Sequence, residues 1–177
     1  MSVAEERLLS ELKNIRKDHK FLYFARPLKQ IPLNDSKHKN SKQKTIMSWI
    51  CGFPGPSTEL YKNSYFYLKL DFNERYPFYP PRVTFTRPVY HPNVYINNGV
   101  CLDVISHKWK ASMNVMQIIS AVQHLLEQPN SSSPANTTAN NLYVKYKEKY
   151  KKKVRENILK EHSIFPWSEK NVWKDLI

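Results

Sequence analysis

The sequence predicts an α+β domain, and three stretches carry that prediction. Residues 3–19 place Leu8, Leu9, Leu12 and Ile15 on one face at helical spacing, with Arg7, Lys13, Arg16 and Lys17 on the others. Residues 65–72 alternate: Phe66, Leu68, Leu70 and Phe72 fall on one face, Tyr65, Tyr67, Lys69 and Asp71 on the opposite one. That period of two belongs to a half-buried antiparallel strand. Residues 114–127 repeat Val115, Ile118, Ile119, Val122, Leu125 and Leu126 as the apolar stripe of a core-facing helix, with Asn114 or Ser112 to cap it.

The remaining elements follow in order. Phe21 to Ala25 is a short apolar run that fits a first strand. Residues 27–45 lose all apolar periodicity, and Lys37-His38-Lys39-Asn40-Ser41-Lys42-Gln43-Lys44 reads as a basic, exposed loop. Ile46 to Cys51 fits a second strand, with Trp49 inside and Cys51 structural. Gly52 to Asn63 carries turn chemistry, and Asn63 tolerates left-handed backbone geometry. Arg82 to Phe85 fits a fourth strand, bounded by Pro80 and Pro81, which supply no ladder donors. Residues 136–162 read as one or two helices rich in lysine: Lys145, Lys147, Lys149, Lys151, Lys152 and Lys153. The simplest reading of those charges is a solvated face. Residues 1–162 form the predicted domain. Residues 163–177 form an extension whose Phe165, Trp167 and Trp173 suit packing on the domain or on a partner.

Composition narrows the function classes. A chain of 177 residues suits one domain with one core. With 28 Lys+Arg against 15 Asp+Glu, the formal charge of +13 favours acidic partners of some kind. Two cysteines make no disulfide framework, which points to a reducing compartment, cytoplasm and/or nucleus. No stretch has the ~20 apolar residues that span a bilayer, and residues 1–20 lack the apolar centre of a signal peptide, so no membrane partner is expected. The aromatics are not interleaved with basic residues as in an RNA-binding sheet, and no helix-turn-helix or zinc spacing appears. Nucleic acid is therefore not expected as the main partner. No phosphate-cradling glycine loop is present, so the chain is not expected to use ATP itself.

Chemistry concentrates between residues 91 and 109. A polar loop, His91-Pro92-Asn93, precedes one thiol, Cys101, and Trp109 follows eight residues later. A thiolate is a strong nucleophile, although a thiol of pKa ~8.5 is only a few per cent ionised at neutral pH. Asn93 could donate to the oxyanion formed when a thioester is attacked. No Asp-His pair lies nearby in sequence to act as a strong base, which suits an acyl carrier better than a hydrolase. Against this, a lone cysteine is more often a small buried hydrophobe, and His-Pro-Asn alone reads as a turn. His91, His107 and Cys101 have no metal-ligand spacing, so no metal is expected.

The motifs around the thiol resemble those of the ubiquitin-conjugating enzymes. His91-Pro92-Asn93, seven residues, Cys101-Leu102-Asp103 and then Trp109 is similar to that family's active-site signature. Tyr76-Pro77-Phe78-Tyr79-Pro80-Pro81, Trp49 with Gly52-Phe53-Pro54-Gly55 and Tyr61, Gln128-Pro129-Asn130, and Ser133-Pro134-Ala135-Asn136 resemble further segments, over about residues 5 to 160. The resemblance implies an N-terminal helix, a four-stranded antiparallel meander and then helices packed on it. It makes residues 27–45 an insertion. It implies that Cys101 carries ubiquitin or a ubiquitin-like modifier as a thioester, received from an activating enzyme that spends the ATP, and passes it with a RING-type or other ligase to substrate lysines. No cofactor is implied.

The roles implied for residues follow the same match. Asn93 stabilises the oxyanion or holds the active-site loop. His91 and Asp103 support the site, and Ser133 falls where many relatives carry an aspartate gating the lysine. Arg7, Lys13, Pro77, Phe78, Lys110 and Ala111 are the implied contacts with activating enzyme and ligase. Tyr95, Ser133-Pro134-Ala135-Asn136 and the eight-residue step from Cys101 to Trp109 look most like the ubiquitin branch serving histone and DNA-repair ligases. Arg16-Lys17-Asp18-His19 and the positive charge resemble the SUMO branch. Two departures stand out: Gly99 is two residues before the cysteine rather than three, and Lys110-Ala111-Ser112 replaces the usual Ser-Pro-Ala. The competing readings are a non-catalytic adaptor of the same fold and a basic nucleic-acid-binding module.

Overall fold

Helix α1 (Val3–Lys17) starts at a reciprocal cap. The Ser2 hydroxyl accepts from the Glu5 amide at 3.2 Å, and the Glu5 carboxylate accepts from the Ser2 amide at 2.7 Å. Its buried face is Ala4, Leu8, Glu11 and Ile15, while Leu9 is exposed and Leu12 only partly covered. The stripe is thus rotated from the predicted one, because a carboxylate with enough partners is as acceptable in the core as a leucine. The computed structural model describes residues 1–17, 22–28 and 44–163. Residues 29–43 of the expected 27–45 insertion, the Asp18-His19 pair, Phe21 of the expected first strand and residues 164–177 of the expected extension lie outside the described residues.

The sheet is an antiparallel meander in the order β1-β2-β3-β4. Its strands are β1 (Phe24–Pro27), β2 (Ser48–Pro54), β3 (Tyr65–Asp71) and β4 (Arg82–Phe85). β1 begins later than the apolar run suggests, because Leu22 sits in the left-handed region at φ 66° and breaks the extended backbone. β2 also begins later: residues Lys44–Met47 form a 3₁₀ turn whose Ile46 carbonyl accepts from the Trp49 indole at 2.7 Å. The β2–β3 connection turns at Asn63, φ 58°, the left-handed position that asparagine tolerates. Register follows the pleat, with Trp49 opposite Leu70, Cys51 opposite Leu68 and Phe53 opposite Phe66.

Those six residues face the core, together with Val83 and Phe85 of β4. Against them packs α2 (Val115–Glu127), which buries all six residues of its predicted stripe. Asn114 caps it with the full reciprocal pair, its side chain accepting from Gln117 and the Gln117 side chain accepting from the Asn114 amide, each at 3.0 Å. The other sheet face is not left to solvent. Tyr65, Tyr67 and Ile50 are buried there under Leu22, Phe24 and Leu28, and the Tyr65 hydroxyl donates to the Leu22 carbonyl at 2.7 Å. Beyond α2 come two helices, α3 (Thr137–Lys145) and α4 (Lys147–Asn157), and a closing π-turn (Ile158–His162). Tyr150, Val154 and Ile158 close the core. No described helix is long and apolar enough to cross a membrane.

Candidate active site

The thiol is placed by a short reversal stitched onto β4. Val94 bridges Val100, the Tyr95 amide donates to the Gly99 carbonyl at 2.9 Å, and the Asn98 amide to the Tyr95 carbonyl at 2.9 Å. The Phe85 amide donates to Asn98, and the Val100 amide to Val83, so both arms are tied to β4. The tight point is Asn98, at φ 65°, while Gly99 has no positive φ. Asparagine therefore takes the left-handed position, and the displaced glycine leaves the turn intact. The Asn97 side chain accepts from the Gly99 amide at 3.1 Å.

Cys101 emerges from this reversal half-buried and unbonded to the other cysteine. Its amide donates to the Asn93 carbonyl at 2.9 Å. The Cys101 sulfur, first as a hydrogen-bond partner and then as a charge, pushes the half-exposed Tyr95 phenol above its ordinary value. Cys51, by contrast, is completely buried under the sheet, and burial pushes its thiol far up, so it stays protonated and inert.

The Asn93 side chain is fully occupied. Its Nδ2 donates to the carbonyls of Asn130 at 2.8 Å and Ser133 at 3.1 Å, and its Oδ1 accepts from the Asn130 amide at 2.8 Å. Both of its N–H groups hold the segment that passes in front of the cysteine. Pro92 adds to the seam, its carbonyl accepting from the amides of Ala135 and Asn136 at 2.8 Å each. Ser133 is exposed, and the structure brings its carbonyl, through Asn93, into the same network.

His91 is wholly buried, and its Nδ1 accepts from the Asn93 amide at 3.0 Å. Burial pulls its pKa down to about 4, with the Leu125 and Leu126 carbonyls acting weakly the other way. A neutral, sealed imidazole orients the loop and has no route to a reacting proton. Asp103 opens the turn Asp103–Ile105, and its carboxylate meets Lys108 at 2.9 Å and His107 at 3.7 Å. The Lys108 hydrogen bond, before its charge and that of His107, holds this carboxylate below its ordinary value. Asp103 thus shapes the segment leading away from the thiol.

The expected partner contacts divide into two kinds. Lys13, Phe78 and Lys110 are exposed, with Phe78 69% accessible and Tyr79 beside it under the Arg75 guanidinium. Arg7 is not a free cation. Its Nε reaches Glu11 at 2.7 Å, and its two terminal nitrogens donate to the carbonyls of Ala111 at 3.0 Å and Met113 at 2.8 Å. Its guanidinium also lies 5.8 Å from the centre of the Tyr76 ring. Glu11 accepts again from the Tyr76 hydroxyl and from the Val115 amide at 2.8 Å. Pro77 is buried, and its carbonyl accepts from the Trp109 indole at 2.7 Å. Helix α1, the Tyr76–Tyr79 loop, the 109–113 loop and the start of α2 are thereby clamped together.

Glu11 is a member of this architecture that the sequence motifs leave out, while Tyr76, Tyr95 and Asn130 lie within the motifs without a role there in holding the site. The signal for Glu11 was present, since it lies four residues after Arg7 and shares the phase of Ala4, Leu8 and Ile15. Among the described residues no group of three His, Cys, Asp or Glu side chains could hold a metal ion.

Comparison with known proteins agrees with this geometry. Residues 7–158 match the family model described as "Ubiquitin-conjugating enzyme". The chain is 36% identical over 155 residues to a protein of Debaryomyces hansenii named "Ubiquitin-conjugating enzyme E2 2", covering 88% of this chain and 84% of that one. A Candida albicans protein of the same name is 37% identical over 155 residues, 88% of this chain and 79% of its own. A Dictyostelium discoideum protein named "Sumo-conjugating enzyme ubc9" is 33% identical over 155 residues, 86% of this chain and 92% of its own. A match across most of the chain, joined to this meander sheet and to a half-buried thiol on the stitched loop, means that the chain belongs to the ubiquitin-conjugating enzyme family.

Proposed function

We propose that Cys101 accepts the C-terminal acyl group of ubiquitin from an activating enzyme and, with a ligase, passes it to substrate lysines. The observation that carries this reading is the free Cys101 thiol, held by its own amide on Asn93, with the Asp103–His107 pair at 3.7 Å tied to Lys108 and, among the described residues, no histidine or carboxylate hydrogen-bonded to the sulfur. A site without a general base hydrolyses its own thioester slowly, as a carrier requires. The lysine amine attacks the thioester carbonyl, a C–N bond forms, the C–S bond breaks, and the thiolate of Cys101 leaves. The amine's proton passes to solvent. At pH 7 less than about 0.1% of a lysine of pKa ~10.4 is neutral, so the groove must desolvate the incoming ammonium.

Asn93 in this reading holds residues 130–133 in front of the thiol, and serves the oxyanion only when one of its two donated bonds opens. Lys13, Phe78 and Lys110 meet activating enzyme and ligase directly, whereas Arg7, Pro77 and Ala111 fix the shape of that surface. The chain needs no cofactor, the ATP being spent by the activating enzyme, and its reduced thiol suits cytoplasm or nucleus. SUMO is the second reading for the modifier, favoured by the Dictyostelium discoideum relative and by Arg16-Lys17 at the end of α1.

The test is a charging reaction with matched activating enzyme, ATP, and ubiquitin or SUMO, read on a non-reducing gel. A band shifted by one ubiquitin, removed by thiol and absent in Cys101→Ala, is expected. A band with SUMO alone would change the modifier, and no band with either would leave the adaptor reading.

A further inference from the structure

The lysines of the C-terminal helices surround a built feature that the conjugation reaction does not use. Between residues 145 and 157 there are seven basic residues against two acidic ones. The acidic ones are already engaged, Glu148 with Lys151 at 2.7 Å and Glu156 with Lys153 at 3.9 Å. Lys145, Lys147, Lys149 and Lys152 have no ion pair among the described residues.

They are also not spread on a smooth helix surface. The α3–α4 run breaks at Tyr146, whose φ of −137° and ψ of 61° end one helix and begin the next. The break opens a shallow cleft of about 480 Å³, lined by Val144, Lys145, Tyr146, Lys147, Glu148 and Lys149. The Tyr146 side chain is 50% exposed, with the Lys149 ammonium 5.1 Å from its ring centre.

The composition of this cleft selects the partner. A folded acidic protein needs an apolar centre from which charged residues are depleted. Here the apolar surface is one tyrosine ring and the exposed Val144, flanked by three lysines and by Glu148, which Lys151 already engages. An exposed ring flanked by unpaired cations is instead what single-stranded nucleic acid uses, with a base stacked on the aromatic face and phosphates on point charges. Lysine, with no fork geometry to satisfy, suits sequence-tolerant phosphate contacts.

We propose that the Tyr146 cleft is an accessory binding site for single-stranded nucleic acid, with Lys145, Lys147 and Lys149 on the phosphates and Tyr146 under a base. The site lies one helix length, about 13 Å, from Asn136, which is bonded to the active-site loop. A strand bound there positions its protein companions near Cys101.

The experiment is fluorescence anisotropy of the full chain with a labelled 20-nucleotide oligo(dT), across a salt series, with a duplex of equal length and a poly-glutamate peptide as further arms. Binding near 10 μM, roughly, at about 50 mM salt is expected for the single strand. Tyr146→Ala should weaken it about tenfold and leave the salt slope unchanged, because stacking releases no counterions. Replacing Lys145, Lys147 and Lys149 together by Gln should lower the slope of log K against log salt by about 2. Both variants should form the Cys101 thioester and melt as the wild type does, since these side chains are at the surface. Absence of binding at low salt overturns the proposal, as does binding that both variants retain. Equal affinity for poly-glutamate, or duplex binding indifferent to Tyr146→Ala, overturns it in favour of an acidic protein or a duplex.

Discussion

Asn93 shows how much of the site one residue can hold in place. All three of its side-chain bonds run to the segment 130–133, while its backbone carbonyl holds the Cys101 amide. Asn93→Ala is therefore expected to keep charging but lower the rate of discharge to free lysine by about 10²-fold or more, the scale of losing a placed donor. It should also speed hydrogen exchange at the Asn130 amide, whose acceptor disappears. Asn93→Asp separates the contributions, because it still accepts from that amide but donates nothing. Protection of Asn130 with lost discharge would mark the donated bonds as the ones that matter. Normal discharge in Asn93→Ala would remove Asn93 from the reaction.

A second single-residue expectation concerns Asn98. Its left-handed backbone predicts that Asn98→Val costs about 1–2 kcal/mol, whereas Asn98→Gly stays within about 0.5 kcal/mol of wild type, both read by urea denaturation. Equal stability of the two variants would contradict the strained turn. Sequence showed a misplaced glycine here. It did not show which residue carries the turn, because asparagine and glycine compete for the same backbone region and only the hydrogen-bonded register decides between them.

At the scale of elements, the clamp on Glu11 is the main finding. A carboxylate only 6% exposed accepts from Arg7, Tyr76 and Val115, and so joins three separate segments. Tyr76→Phe removes one bond to a charged acceptor, at an expected cost of about 1.5–3 kcal/mol. Glu11→Ala removes the acceptor of the Arg7 Nε, the Tyr76 hydroxyl and the buried Val115 amide together, at an expected cost of about 3–5 kcal/mol. Denaturant midpoints check both, and a double-mutant cycle between Arg7 and Tyr76 should show non-additivity, since they share the acceptor. Additive losses would mean the segments are held independently. The exposed Phe78 and Lys110 sit on this frame, so under the proposed function Arg7 would shape the partner surface without itself touching a partner.

The elements also explain what was legible in advance. The strand at 65–71 and the helix at 115–127 were readable because their apolar periods are unbroken. The edges of β1 and β2 were not, since Leu22 and the turn at Lys44–Met47 are decided by backbone conformation rather than by hydropathy. The inward phase of α1 is not legible in hydropathy, because Glu11 is polar and its partners come from 65 or more residues away or from its own helix. Cys101 and Asn93 could be named from their motif, but the amide's partners at Asn130 and Ser133 depend on folding.

For the molecule as a whole, buried histidines set a limit on acid tolerance. His91, with its pKa pulled from 6.5 to about 4, is held neutral in the folded state, and His162 is displaced in the same direction by burial. The unfolded chain binds the proton first, so the His91 contribution is complete above pH 6.5 and declines as the pH falls toward 4. A displacement of that size corresponds to about 3 kcal/mol. Stability measured from pH 7 to pH 4 should fall, and His91→Asn should flatten part of the decline while being less stable at pH 7. An unchanged slope in that variant would assign the acid sensitivity to other groups.

The stitching of residues 94–100 onto β4 has a mechanical side. In the proposed reaction Cys101 would tow a folded protein by one flexible tether, and thermal buffeting of that cargo would pull on the sulfur. The load path runs from Cys101 through its amide to Asn93, and through Val100 to the carbonyl of Val83, so the sheet bears the tug and the loop does not. A thioester carbon on that sulfur would then be held by the sheet's ladder rather than by the loop alone. A scaffold anchored this way is indifferent to the bulk of its load.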